Sequence, residues 1–219
     1  MPLSIDWTVA KIWRNAVRGI PKDRSGEVMS FEMVEIVGLW MQRLCSDFYD
    51  LMASSYLTEV AVTPTGNVVD LSAYRIMRTG PQIKMSMKSS STPDVTVHTP
   101  EEVDSFNASA PQNATKIWWS LVGNAINLAK GSGVATYNLT LRYPKVPDVP
   151  SAGTSKIDLP DGPAAVLLIL LVRQEIATRI KFEMPAMKVD IENAVRDLYH
   201  AFGVQAQTEM IKAKVESLK

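Results

Sequence analysis

The residues able to do chemistry are few and far apart. His98 and His200 stand in different stretches of the chain and have no companion ligands at HExxH or CxxC spacing, so capping or surface roles are expected for both rather than a metal pair. Ser120, His98 and Asp104 supply the types of a nucleophile, a base and an orienting carboxylate. A hydrolase built on them would need Ser120 hydrogen-bonded to the His98 ring inside a deep pocket. No GxSxG, GxxxxGK[ST] or GxGxxG is present, and Gly131-Ser132-Gly133 reads as a turn. Glu101 and Glu102 are adjacent, hence about 100° apart on a helix, and Glu102 sits where a capping residue belongs. Trp118 and Trp119 beside Lys116 raise base stacking, yet neighbours on a strand face opposite ways, so one is expected in a core and the other on a sheet face. Met77, Met85 and Met87, alternating with Lys84 and Lys88 at the far end, read as an adaptable surface or an amphipathic strand. Cys45, the one cysteine, lies in an apolar helical pattern and is expected to be a buried, inert thiol. The reading is of a protein that is not an enzyme, with no catalytic, metal or cofactor residues.

Charge supports that direction. Among 219 residues, 23 Lys+Arg and 23 Asp+Glu give a net charge of 0, which argues against a ligand held through a basic field. The longest apolar run, Ala164 to Val172, is about half of what a bilayer core requires, so no membrane is expected. The N-terminal stretch lacks the succession of a signal peptide.

The elements that must position these residues follow from periodicity. Ile5 to Ile20 repeats apolar residues at spacings of three and four, with Asp6 as the expected cap and Pro21 as the stop. After a polar loop, Ser30 caps a second helix expected to run to about Tyr56. Alternation then replaces the helical period. Short strands are expected at Leu57 to Thr63, Val68 to Leu71, Arg75 to Thr79, Gln82 to Met87 and Val95 to Val97, with long polar loops at Lys88 to Asp94 and Ala108 to Thr115. Thr99-Pro100-Glu101-Glu102 predicts one short helix ending near Phe106. Lys116 to Leu121, Ala125 to Lys130 and Gly133 to Tyr143 complete the strands. A third helix starts near Pro163, apolar on every side through Val172 and therefore expected to be central, and a fourth ends at Phe202 before Gly203. The expected fold is α+β: a helical bundle of about four helices (1–56 and 157–219, with a C-terminal tail), an inserted antiparallel β domain (57–143) and a Pro-rich linker (144–156).

Four stretches carry a family resemblance. Met29-Ser30-Phe31-Glu32-Met33-Val34-Glu35-Ile36 through Met52 is one, and Asp70-Leu71-Ser72-Ala73-Tyr74-Arg75-Ile76 with His98-Thr99-Pro100-Glu101-Glu102-Val103 is another. Lys116-Ile117-Trp118-Trp119 through Leu128, with Leu139-Thr140-Leu141-Arg142-Tyr143-Pro144, is the third, and Ile157-Asp158-Leu159-Pro160-Asp161 is the fourth. Together they resemble the head-to-tail adaptor, or connector, proteins of tailed bacteriophages, of the tail tubular protein A type. The resemblance implies a structural protein of the virion neck, made in the host cytoplasm. It implies a homo-oligomeric, commonly dodecameric ring between the portal protein and a tail or nozzle protein, through which genomic DNA passes without specific binding. No cofactor is implied. It also implies a portal-binding C-terminal tail, here Met210, Ile211, Val215 and Leu218, the alternative being that this segment simply continues the bundle. Interface loops are expected around Ser89, Ser90, Ser91, Asn107 and Asn113. The competing functions are another neck or tail-completion protein and a small hydrolase.

Overall fold

The computed structural model describes residues 7–21, 32–77, 86–89, 95–109, 115–134, 138–159 and 162–218, the last four-residue stretch before 95 for its backbone alone. In chain order its elements are α1 (Val9–Ala16), α2 (Glu32–Asp47), α3 (Tyr49–Met52), a 3-10 turn (Ala53–Tyr56), β1 (Leu57–Val62), β2 (Val68–Asp70), β3 (Ser86–Ser89), β4 (Val95–Val97), α4 (Pro100–Ser109), β5 (Ile117–Val122), β6 (Ala125–Lys130), β7 (Leu139–Pro144), α5 (Gly162–Arg179), α6 (Met187–Ala201) and α7 (Thr208–Ser217). The fold is α+β, with seven α-helices among the described residues where about four plus the short one were expected. The chain divides into two compact units, one of residues 1–52 and 147–219 and one of residues 53–146.

In the helical unit α5 packs against α1, α2 and α6, and α7 packs on α6. Leu167, Leu168, Leu171 and Val172 of α5 are fully buried, as an apolar helix surrounded by neighbours requires. The burial is not all-round, since Val166 is 49% exposed. The cap of α1 is Thr8, whose Oγ1 accepts from Lys11 N at 3.3 Å; the expected cap, Asp6, lies outside the described residues. Two further amides of this first turn, Val9 and Ala10, donate to the Ser155 and Gly153 carbonyls, so the connecting segment supplies acceptors that the helix itself lacks. At the other end Arg173 of α5 donates from Nε to Ala16 O (2.9 Å) and from Nη2 to Asn15 O (2.8 Å), closing the helix terminus with a cation.

The expected single helix from Ser30 to Tyr56 is interrupted at Phe48, and Ser30 itself lies outside the described residues. The hydrogen bonds change partners at that point. The Asp47 carbonyl, which a continuous helix would give to Leu51 N, accepts instead from Lys214 Nζ of α7, and Leu51 N turns to Phe48 O at 3.1 Å.

In the β unit one sheet has the order β1-β7-β3 and is antiparallel. The other has the order β2-β6-β5-β4, and its β4-β5 pair is parallel, so this sheet is mixed rather than antiparallel as expected. The helix between the two strands explains it: α4 carries the chain back across the sheet, so β5 begins at the same end as β4. Gly123, at φ 59°, makes the tight β5-β6 turn. The inner faces share a core that includes Val69, Leu71, Ile117, Trp119, Ile126 and Leu141. Three other expectations shift. Of the strand at Arg75 to Thr79 only the bridge Ile76↔Lys145 is described, Pro144 belongs to β7 rather than to the linker, and α4 runs past Phe106 to Ser109.

Candidate functional site

A cluster of chemically capable side chains lies on the outer face of the mixed sheet. Strand alternation sends Ile117 and Trp119 inward and Trp118 outward, under α4, where it packs with Val103, Phe106 and Ala129. The Trp118 ring is covered by two others: His98 stacks at 3.8 Å and 18°, Phe106 at 4.3 Å and 30°. Both nitrogens of His98 are engaged, Nε2 with Thr96 Oγ1 at 3.0 Å and Nδ1 with Glu102 Oε2 at 3.2 Å. Glu102 also accepts from Thr99 N at 2.9 Å while its own N–H donates to Thr99 Oγ1 at 3.3 Å, the reciprocal capping box that the sequence announces. The Thr99 amide first and the His98 ring second hold the Glu102 carboxyl below its ordinary range. Chemically this is a helix cap joined to an aromatic stack.

Ser120, from the same face of β5, is 1% exposed and its Oγ has no hydrogen-bond partner among the described residues. It is therefore not bonded to His98, and Asp104 is an exposed residue of α4. Among the described residues no group of three or more His, Cys, Asp or Glu side chains is placed to hold a metal, and no helix is long and apolar enough to cross a membrane. Cys45 is buried, Met77 is buried, and His200 is exposed in the last turn of α6.

The C-terminal segment folds onto its own chain. Ile211, Val215 and Leu218 are 2%, 4% and 1% exposed, whereas Met210 is 42% exposed. A docking surface made of all four side chains is thus not present in this conformation. Spacing of 211, 215 and 218 announces one helical stripe, but only the packing shows that α6 takes it. Two basic side chains complete the attachment, each capping the other helix: Lys214 Nζ donates to Asp47 O at the end of α2, and Arg43 Nη2 of α2 donates to Ser217 O at the end of α7 at 2.8 Å. Neither cap was foreseen, because a lysine or arginine at helical spacing carries no sign of a partner more than 160 residues away. Beside α7 a half-open cavity of about 240 Å³ is lined by Phe182, Met184, Met187, Ile191 and Val215, with Lys188 at its rim.

Of the expected interface loops, Ser89 lies in β3, its backbone in register with Leu139, and Asn107 is an exposed residue of α4 whose Oδ1 faces Asn67 Nδ2 at 3.5 Å. Both are corrections, since neither stands in a loop. Ser90, Ser91 and Asn113, like Met85, lie outside the described residues. No protein-family model matches the chain, and no curated protein matches it either.

Proposed function

We propose that the chain is a non-enzymatic structural protein of a tailed bacteriophage: a head-to-tail adaptor that assembles as a homo-oligomeric, dodecameric ring in the virion neck, between portal protein and tail or nozzle protein. The observation that carries this reading is the order of elements within the resembling stretches. Helices come first, then strands with a short capped helix at His98 to Ser109, then closing strands ending in Tyr143-Pro144, then helices again. On this reading the helical unit is a bundle built around α5, and the β unit is an insertion between α3 and α5. The net charge of 0 supports a channel role, because a ring that bound DNA tightly would hold back its passage. In the folded subunit Met210 is the member of the expected portal-binding set that is open to a partner, and Ser90, Ser91 and Asn113 remain the proposed contacts toward neighbours or the tail.

Mass measurement of the purified protein, alone and mixed with the portal protein of the same phage, tests the proposal. A closed ring, or co-sedimentation with portal, is the expected result. A protein that stays monomeric across concentration and fails to co-sediment overturns it.

A further inference from the structure

We propose that α7 is a detachable strap, and that its attachment is what breaks the helix at Phe48. Four observations converge. First, α7 follows a hinge: Gly203 takes φ 70°, and after Val204 N, which bonds Tyr199 O, the amides of residues 205–207 make no backbone hydrogen bond among the described residues. Second, the apolar contact of the helix is one narrow stripe, Ile211, Val215 and Leu218, beside which the partly buried Lys214 lies over the Phe48 ring. Third, a half-open pocket of about 240 Å³ is lined by Val215 together with Met187 and Ile191, so water reaches one edge of this seam. Fourth, the polar attachments are exposed, apart from the part-buried bond of Lys214. Lys188 Nζ meets Glu216 Oε1 at 3.1 Å between half-exposed side chains, and Arg43 Nη2 and Lys214 Nζ reach main-chain carbonyls at helix ends. Each of these groups finds water when α7 leaves, so opening strands no buried charge.

The break follows from the same bond. With Lys214 Nζ drawing the Asp47 carbonyl toward α7 and out of line with the helix, Leu51 N donates to Phe48 O. Once Lys214 withdraws, the Asp47 carbonyl can turn back into line with Leu51 N, and α2 joins α3 in one helix with the regular i to i−4 pattern. The strap and the kink are thus two states of one element: α7 down with α2 broken, or α7 away with α2 continuous and an amphipathic stripe released. Use of that stripe in a partner's groove rests on the adaptor reading; the two-state strap does not.

Native-state hydrogen exchange on the full-length protein across low urea tests it. The amides of α7 are expected to exchange through one shared opening with a shallow urea dependence and protection about 100-fold or more below that of α5. If α7 and α5 share one steep isotherm, α7 opens only on global unfolding and the proposal fails. In Lys214→Met the opening of α7 should become about tenfold more favourable, and protection of the Leu51 amide should rise. Unchanged or lower Leu51 protection overturns the coupling. Should that variant not fold, the wild-type isotherms still decide whether the strap exists. Because no portal is present, failure here is separate from failure of the adaptor reading.

Discussion

Lys181 is the only residue other than glycine with positive φ among those described, at 52°, and it sits at the C-terminal end of α5. Phe182 N donates to Ala177 O at 2.8 Å and Lys181 N to Thr178 O at 3.2 Å, the pair of bonds that ends a helix through a left-handed residue. A side chain with a Cβ is strained there, so Lys181→Gly should stabilise the helical unit by about 0.5–1 kcal/mol, less the entropy glycine adds to the unfolded chain. The urea midpoint reads this, and a lower midpoint would mean the lysine side chain has a packing role. Glu102 gives a pH-dependent counterpart. Its carboxyl is held below the ordinary value of 4.5 in the fold, so its ionised form favours the native state above that pH, and the contribution is lost as pH falls through the folded value. The acid side of the stability profile should therefore be flatter in Glu102→Gln, measured by urea midpoints from about pH 6 to about pH 3. Equal slopes in the two proteins would show that the carboxylate's capping bonds do not persist in solution.

Three helix ends in the helical unit share a solution: a cation from a distant element closes the carbonyls that the helix cannot use. Arg173 does this for α1, Lys214 for α2 and Arg43 for α7. Arg173→Met keeps the aliphatic stem but leaves the Asn15 and Ala16 carbonyls without their donor in a half-buried place, at a cost of about 2 kcal/mol. Thermal or urea unfolding monitored in the helical unit should register it. A variant as stable as the parent would assign the docking of α1 to Val9 and Ile12 alone. In the middle of α5, Leu168→Asp places a carboxylate at a fully buried position, and the expected loss of several kcal/mol leaves insoluble protein. A soluble variant with unchanged melting would contradict the central place of this helix. In the β unit, Trp118→Ala removes the ring that His98 and Phe106 cover and should cost about 3 kcal/mol or more, with α4 the first element to lose exchange protection.

At the scale of the molecule, two compact units with separate cores predict separable unfolding: one transition for residues 1–52 with 147–219 and one for 53–146, resolved when tyrosine and tryptophan signals of each unit are followed in urea. Deleting 205–219 bears on both proposals at once. Removing α7 uncovers what Ile211, Val215 and Leu218 pack on, so the helical unit should melt at lower urea while the β unit is unaffected. The adaptor reading adds that a folded deletion variant loses portal binding. Full portal binding after the deletion would show that the segment serves the subunit's own core and not the partner.

Local chemistry made much of this chain legible from its letters. The capping box at Thr99 and Glu102, the turn at Gly123, the opposite facing of Trp118 and Trp119 and the apolar α5 all follow from interactions within a few residues or from strand and helix period, and these are properties of the sequence alone, whereas which tryptophan points inward was decided by the fold. What depended on partners remote in sequence was not legible. The parallel pairing of β4 with β5 needed the path of α4 across the sheet, and the donor to the Asp47 carbonyl beside the interruption at Phe48 is a lysine that follows it by more than 160 residues. The burial of the C-terminal stripe needed the surface of α6. A periodic pattern states which face of a helix is apolar, but the fold decides what covers it, because burial is a property of a pair of surfaces and not of either one.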